Sequence, residues 1–203
     1  YSTDPQAQGN PHLKPETIHT WELALDYATA SQGQWIANLF YYTTTDKIRY
    51  ASFPNNVLKT ENMDQWEGYG VELETRWQIH KRVNLLANYS YQRATDVNSD
   101  HDIGNYPRHT AYLRADWLFR PDWQLNWSTN WIANRQRPKG DTRSAIADYT
   151  MTDLTLRYRG GKKGGVELGI GIQNLFDTEA REPFNTTLPN DWPLAGRSLW
   201  GDV

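Results

Sequence analysis

The chain has no cysteine and only two methionines in 203 residues. Disulfide frameworks, thiol nucleophiles and Cys-ligated zinc are therefore excluded. It also lacks a strong charge of either sign: 21 Lys+Arg stand against 24 Asp+Glu, a formal net charge of -3, so a nucleic acid is not an expected partner. No long apolar run is present. The longest uncharged stretch, from Tyr27 to Thr45, includes Gln32, Gly33, Gln34, Asn38 and three consecutive threonines, too polar for a membrane-spanning helix. Tyr1 opens a polar stretch with no basic and apolar leader, so a removed signal peptide or a fragment is expected. Helical periodicity and capping boxes are missing as well. Aromatic residues are abundant instead: 10 Trp, 12 Tyr and 5 Phe, 13% of the chain.

Alternation at period two runs almost the whole length. Trp21, Leu23, Leu25 and Tyr27 oppose Thr20, Glu22, Ala24 and Asp26; Val71, Leu73, Thr75 and Trp77 oppose Glu72, Glu74, Arg76 and Gln78. Val83 to Tyr91, Arg108 to Trp117, Trp123 to Trp131, Thr152 to Tyr158 and Val166 to Gln173 repeat the pattern. Gln34 to Tyr42 is less clean, with Ile36 and Phe40 on its polar phase, and a last strand from Arg197 stops after a few residues. Where a strand carries several charges they keep one phase, as Glu72, Glu74 and Arg76 do, which is what a pleated strand with one polar face requires.

Alternation alone fits a soluble sandwich with its apolar face inside, or an outer-membrane barrel with that face turned to lipid. The connections separate the two. Short links at Ser31–Gly33, His80–Arg82, Arg120–Asp122 and Gly160–Gly164 alternate with long ones at Asp46–Glu67, Thr95–Pro107, Asn134–Asp148 and Thr178–Gly196. Short periplasmic turns and long extracellular loops are a barrel's habit. Tyr27, Trp35, Trp77, Trp117, Phe119, Trp123 and Tyr158 lie beside the short turns, and Tyr41, Tyr42, Tyr89, Tyr91, Trp131 and Phe176 toward the long loops, which predicts two interfacial girdles. The reading is all-β: an antiparallel transmembrane β-barrel segment of about nine strands. Bacterial barrels close with an even number, so the segment is expected to be part of a larger barrel.

Four ordered motifs then resemble the TonB-dependent outer-membrane receptors. Asn10-Pro11-His12-Leu13-Lys14-Pro15-Glu16 is similar to the family's N-P-x-L-K-P-E segment; Gly68 to Glu74 resembles its G-x-E-x-E strand start; Gln173 to Asp177 its N-L-F-D strand end; Pro193 to Trp200 its P-G-R loop before the last strand. The resemblance implies that residues 1–203 are the C-terminal portion of a 22-stranded barrel, with the plug domain, the TonB box and the N-terminal barrel strands absent. It implies outer-membrane residence in a Gram-negative bacterium, and active uptake of a ferric siderophore or similar scarce metal chelate with energy from a TonB complex that engages the missing N-terminal region. Outer-membrane lipid is the other expected partner. Cobalamin, haem, other chelates and saccharides stay open as ligands. A passive porin or adhesin barrel and a soluble aromatic-rich lectin sandwich are the rival readings.

No G-x-S-x-G or other ordered nucleophile arrangement occurs, so no enzyme and no cofactor are expected. Asp96, Asn98, Asp100 and Asp102 alternate like calcium ligands, but His101 and Pro107 stand where an EF-hand needs its Gly and bidentate Glu, and a solvated acidic loop is expected. The five His are scattered. Gly160 to Gly165, with Lys162 and Lys163, lacks phosphate-loop spacing and reads as a tight turn. The charges at Glu72, Glu74, Arg76, Arg114, Asp116, Arg157 and Glu167 fall on the polar phase and are expected to pair with neighbouring strands and the plug. Tyr106, Arg108, Arg135, Arg137, Lys139 and Arg143 sit in or beside long loops and suit an anionic ligand, since guanidinium groups grip carboxylates in pairs; contact with lipopolysaccharide phosphate or plain solvation would place them there equally.

Overall fold

The computed structural model describes residues 7–30, 32–53, 57–160, 165–184 and 189–203. Among these there is no helix, and strands follow one another in the order β1 Ala7–Gln8, β2 Thr17–Ala28, β3 Gly33–Phe53, β4 Val57–His80, β5 Val83–Asp96, β6 His101–Asp102, β7 Pro107–Arg120, β8 Trp123–Arg135, β9 Tyr149–Gly160, β10 Val166–Gln173, β11 Arg181–Glu182, β12 Trp192–Pro193 and β13 Ser198–Asp202. Nine of them form one antiparallel meander, β2-β3-β4-β5-β7-β8-β9-β10-β13, with β2 and β13 at its edges. β1 pairs in parallel with β4, while β6 pairs antiparallel with β5 and β11 antiparallel with β12.

The register explains why the phases read from sequence belong together. Partners directly opposite in a ladder share a face. One such row runs Leu25, Ala37, Leu73, Tyr89, Ala111, Trp131 across six strands; another runs Leu85, Ala115, Trp127, Leu154, Ile172, Leu199. The opposite face collects Asp26, Ile36, Glu74, Asn88, Tyr112 and Asn130 in one row. A slip of one residue at any strand would break both sets. The apolar face is open: Trp21 is 76% exposed and Ile170 61%. In water such a band would be an aggregation surface; in hydrocarbon it is the surface that solvates.

Both girdles are present as ring contacts. Near the short turns Trp35 meets Trp77 at 6.3 Å, and Trp117, Phe119, Trp123 and Tyr158 form a chain that ends at 4.9 Å. Toward the loops Tyr69, Tyr91, His109 and Trp131 follow one another, and the Tyr89 hydroxyl bonds His109 Nδ1 at 2.8 Å.

Two expectations are corrected. Tyr42 is not in the outer girdle: it lies in the row of Thr20 and Gly68, on the polar face, and its ring stacks with Phe40 at 6.5 Å. Those rings occupy the space where Cβ atoms of Gly68 and Gly70 would stand, which is why the polar face of β3 tolerates Phe40 and why β4 has glycine opposite. Asp46–Glu67, expected as a long loop, is largely ladder. β3 and β4 stay paired out to Phe53 and Val57, past a bulge beside Asp46, whose φ is 57°. The segment from Asn10 to Glu16 braces this extension. Asn62 accepts the Lys14 amide and donates to the carbonyls of Lys14 and Asp46, while Glu16 accepts the Ile48 amide at 2.8 Å and pairs with Lys47 at 3.0 Å. The Ile48 amide, followed by the Lys47 ammonium, holds the Glu16 carboxyl below its usual range.

The turn at 160–165 with its two lysines lies outside the described residues from 161 to 164, as does Ser31 of the first short link.

Candidate functional site

The buried hydrophobic residues Ala94, Ala133, Ile146 and Ala180 all sit at the long-loop end, so the described residues build an interior there rather than in the wall. Polar side chains organise it. Asn174, the Asn of the Gln173–Asp177 motif, is 1% exposed with φ of 50°. Its amide nitrogen donates to Asp153 Oδ1 at 2.8 Å, its side chain donates to the Thr178 carbonyl, and its Oδ1 accepts the Thr178 amide. Asp177 then accepts the Arg197 amide at 2.8 Å. The strand-end motif and the Pro-Leu-Ala-Gly-Arg motif are thus two halves of one hydrogen-bonded corner, satisfying backbone groups where β10 leaves the sheet.

The cations picked from the sequence fall into two clusters. In the first, Arg108 reaches Asp102 Oδ2 at 2.7 Å, and the Tyr106 hydroxyl accepts the Ala94 amide at 2.6 Å and donates to the same carboxylate. Burial pushes the Tyr106 hydroxyl up to about 12, with the Asp102 charge adding to it. In the second, Arg137 grips Asp191 with two bonds of 2.9 and 2.6 Å and donates Nε to the Ser144 carbonyl. Arg143 pairs with Asp141 at 2.6 Å, and its Nη1 stands 3.5 Å from Asp191. The Arg143 guanidinium holds the Asp141 carboxyl down to about 2, and Arg137 likewise lowers Asp191. Arg135 is covered: it donates to the Ala147 carbonyl, lies 3.0 Å from Glu182 Oε2 and packs 5.0 Å over the Tyr149 ring. So Arg135, Arg137 and Arg143 come together, but as a clasp between the 136–148 loop and the 174–197 loop, with acids already in their grip. Tyr106 and Arg108 form a separate strut. The acids that complete the clasp, Asp191 and Glu182, carry no local signal in sequence; only a fold joining residues 54 apart reveals the first.

The candidate calcium residues are likewise engaged. Asp96 accepts the amides of Asn98 and Ser99 at 2.9 Å in a turn, Asp102 accepts the Gly104 amide besides its cationic partner, and Asp100 has φ of 51°. Among the described residues no three His, Asp or Glu side chains gather as a metal site.

Between the clusters a cleft of about 880 Å³ opens, lined by Arg49, Trp66, Asp64, His101 and Lys139 among others. Trp66 lies opposite Thr44 and Asp96, hence on the polar face. Lys47 Nζ sits 4.7 Å over its ring. Arg49 pairs with the buried Asp64 at 2.9 Å but is itself 57% exposed, and Lys139 is exposed. The arrangement offers an aromatic face with the cations Lys47, Arg49 and Lys139 beside it, in a cleft that Asp64, Asp96 and Asp102 also line; the ring suits a flat ligand, and the exposed Arg49 and Lys139 suit anionic groups on it.

Comparison with known proteins agrees with this architecture. Residues 1–175 match the family model described as TonB dependent receptor-like, beta-barrel. The iron-regulated outer membrane virulence protein of Vibrio cholerae is 26% identical over 195 residues, covering 84% of this chain and 29% of that protein. The ferrichrome outer membrane transporter/phage receptor of Escherichia coli K12 is 30% identical over 128 residues, 58% of this chain and 17% of that protein. The chain thus spans less than a third of the length of these relatives. Among solved structures, the ferric enterobactin receptor of Pseudomonas aeruginosa superposes with a TM-score of 0.79 at 20% identity, over 96% of this chain and 32% of that one, and the copper transporter OprC at 0.76 and 20%, over 93% and 31%. The relatives are outer-membrane receptors and transporters, and the all-β sheet with one charge-poor face is a piece of such a barrel's wall. The chain belongs to the TonB-dependent receptor family and is an outer-membrane β-barrel segment of it.

Proposed function

We propose that residues 1–203 are the C-terminal portion of the barrel of an active outer-membrane transporter that takes up a ferric siderophore or a similar scarce chelate with TonB-supplied energy. The observation that carries the reading is the cleft over Trp66 on the polar face at the long-loop end, where Arg49 and Lys139 ring an aromatic surface. The relatives that transport ferrichrome or bind ferric enterobactin support it. In this reading a chelate first meets Trp66, Arg49 and Lys139. The residues expected from sequence, Tyr106, Arg108, Arg135, Arg137 and Arg143, act mainly by fixing the loops around it, and reach ligand anions only by trading their carboxylate partners. Glu22 and Glu72 project from the polar face without an ion pair among the described residues. They are placed to meet cations of a plug domain, whose rearrangement by a TonB partner releases the ligand inward.

The test is uptake of labelled ferric hydroxamate, ferric catecholate, haem and cobalamin by a strain lacking its own receptors but carrying the full-length protein. One of these should be taken up, and Trp66→Ala with Lys139→Ala should weaken its binding at least tenfold. Uptake that continues after the proton-motive force is dissipated would replace this reading with a passive porin.

A further inference from the structure

The lipid-facing side of β2 to β5 is not smooth. Two adjacent rows of the sheet, Leu25-Ala37-Leu73-Tyr89 and Tyr27-Trp35-Thr75-Ala87, enclose a groove of about 390 Å³. Its walls are the rings of Tyr27, Trp35 and Tyr89, and its floor is made by Ala37, Thr75 and Ala87. Tyr89 is fixed as a wall because its hydroxyl is committed to His109. The rings on either side and small residues between leave a slot for one extended chain, where large side chains in the same rows would give a flat surface.

A second observation points to an occupant with a polar group. Thr75 is 8% exposed, and its Oγ1 is buried with no hydrogen-bond partner. A hydroxyl with no partner is costly on a hydrocarbon-facing surface, and Thr75 carries the one buried hydroxyl without a partner among the described residues. Thr75 stands five residues before β4 ends at His80, on the order of 12 Å along the membrane normal at the usual strand tilt. That is the depth of the short-turn girdle of Trp35 and Trp77, where aromatic rings meet headgroups and where ester carbonyls lie. From there the groove runs toward the bilayer midplane along Leu25, Leu73 and Tyr89.

We propose that this groove is a specific site for one glycerophospholipid of the periplasmic leaflet, whose acyl chain fills the slot over Ala37 and Ala87 while rotation about χ1 turns the buried Thr75 hydroxyl out of the floor to donate to an ester carbonyl. The site continues the lipid-facing band but differs from ordinary annular contact in having a shaped floor and a directional donor. Lipopolysaccharide belongs to the opposite leaflet and is not the occupant.

The full-length receptor, purified from membranes in mild detergent, tests it. Native mass spectrometry counts retained phosphatidylethanolamine, and titration with palmitoyl-oleoyl phosphatidylethanolamine reads affinity. Ala87→Trp, which fills the slot, should remove one retained lipid. Ala111→Trp, on the same face but outside the slot, should retain as much as the unaltered receptor. Thr75→Val, nearly the same shape without the donor, should weaken binding about three- to tenfold. Heat-modifiable migration establishes that each variant is folded, and if Ala87→Trp is not, Ala37→Leu takes its place beside Thr75→Val. Equal lipid counts in the filled and unaltered receptors, detergent or lipopolysaccharide held in place of the phospholipid, or unchanged affinity in Thr75→Val would each overturn the proposal.

Discussion

The wall and the loop end of this molecule are held by different physics. In the wall, ion pairs are wet: Arg76 with Glu74 and Arg114 with Asp116 join residues two apart with arginines 65% and 48% exposed, and Arg157 reaches Glu167 on β10 and Asp202 on β13 with both acids about half exposed. At the loop end the clasp is covered and joins distant chain segments, as Arg137 and Asp191 do at 9% and 12% exposure. The wall needs no specific charge pair because its backbone ladder and face alternation already determine it. The loops have no ladder, so particular side chains must supply what hydrogen-bond register supplies elsewhere.

That contrast can be broken most sharply at the clasp. Arg137→Ala in the full-length receptor leaves Asp191 covered and half-paired, and should destabilise the docking of the 136–148 and 174–197 loops by about 3 to 5 kcal/mol, read as lost hydrogen-exchange protection confined to those loops. Acid should do the same reversibly. The Asp141 and Asp191 carboxyls are both held below their ordinary range, so their stabilisation is present above about pH 4 and is lost as pH falls through the folded values, about 2 for Asp141. A clasp unchanged at pH 2 would show that charge does not hold it.

The wall should respond instead to which face is altered. Leu113→Arg on the lipid phase should cost about 2 to 4 kcal/mol in urea unfolding of the receptor in lipid, and Thr110→Arg on the polar phase much less. Equal costs would reverse the orientation. Asn174→Ala removes three bonds at the corner, two with Thr178 and one to the Ala195 carbonyl, and leaves the Asp153 bond intact, since that one comes from its backbone; a loss of about 1 to 3 kcal/mol is expected, with the added signature of a loosened Thr178. Arg114→Ala should cost under about 1 kcal/mol, as exposed pairs do. A cost equal to that of Arg137→Ala would erase the distinction between the regions.

The same contrast decides what is legible in the sequence. Strand phases are readable because alternation is local: Leu23 or Val71 declares its face through its two neighbours. Tyr42 misleads because an aromatic near a loop fits a girdle by composition, and only its even position and the glycine opposite put it inside. The ladder from Lys47 to Phe53 is missed although Lys47, Ile48, Arg49 and Tyr50 alternate, because the bulge at Asp46 and Lys47 shifts its phase from that of the strand below and so separates it from the membrane-spanning pattern. The cations of the site are visible as residue types, but their partners are not, because Asp191 and Glu182 are brought in by loop closure. Asn174 is recognisable as part of a motif, while its burial and positive φ are properties of the finished corner.

β3 and β4 run 21 and 24 residues, about twice what a tilted strand needs to cross the hydrocarbon. The surplus is a cantilever. From the bulge at Lys47 to Phe53 it extends roughly 20 Å, and a bend of roughly 10° at its root would displace the tip by about 3 to 4 Å. Asn62 and Glu16 tie that root to the chain entering β2, which gives a load on the tip a hydrogen-bonded route to β2 besides the β3–β4 ladder.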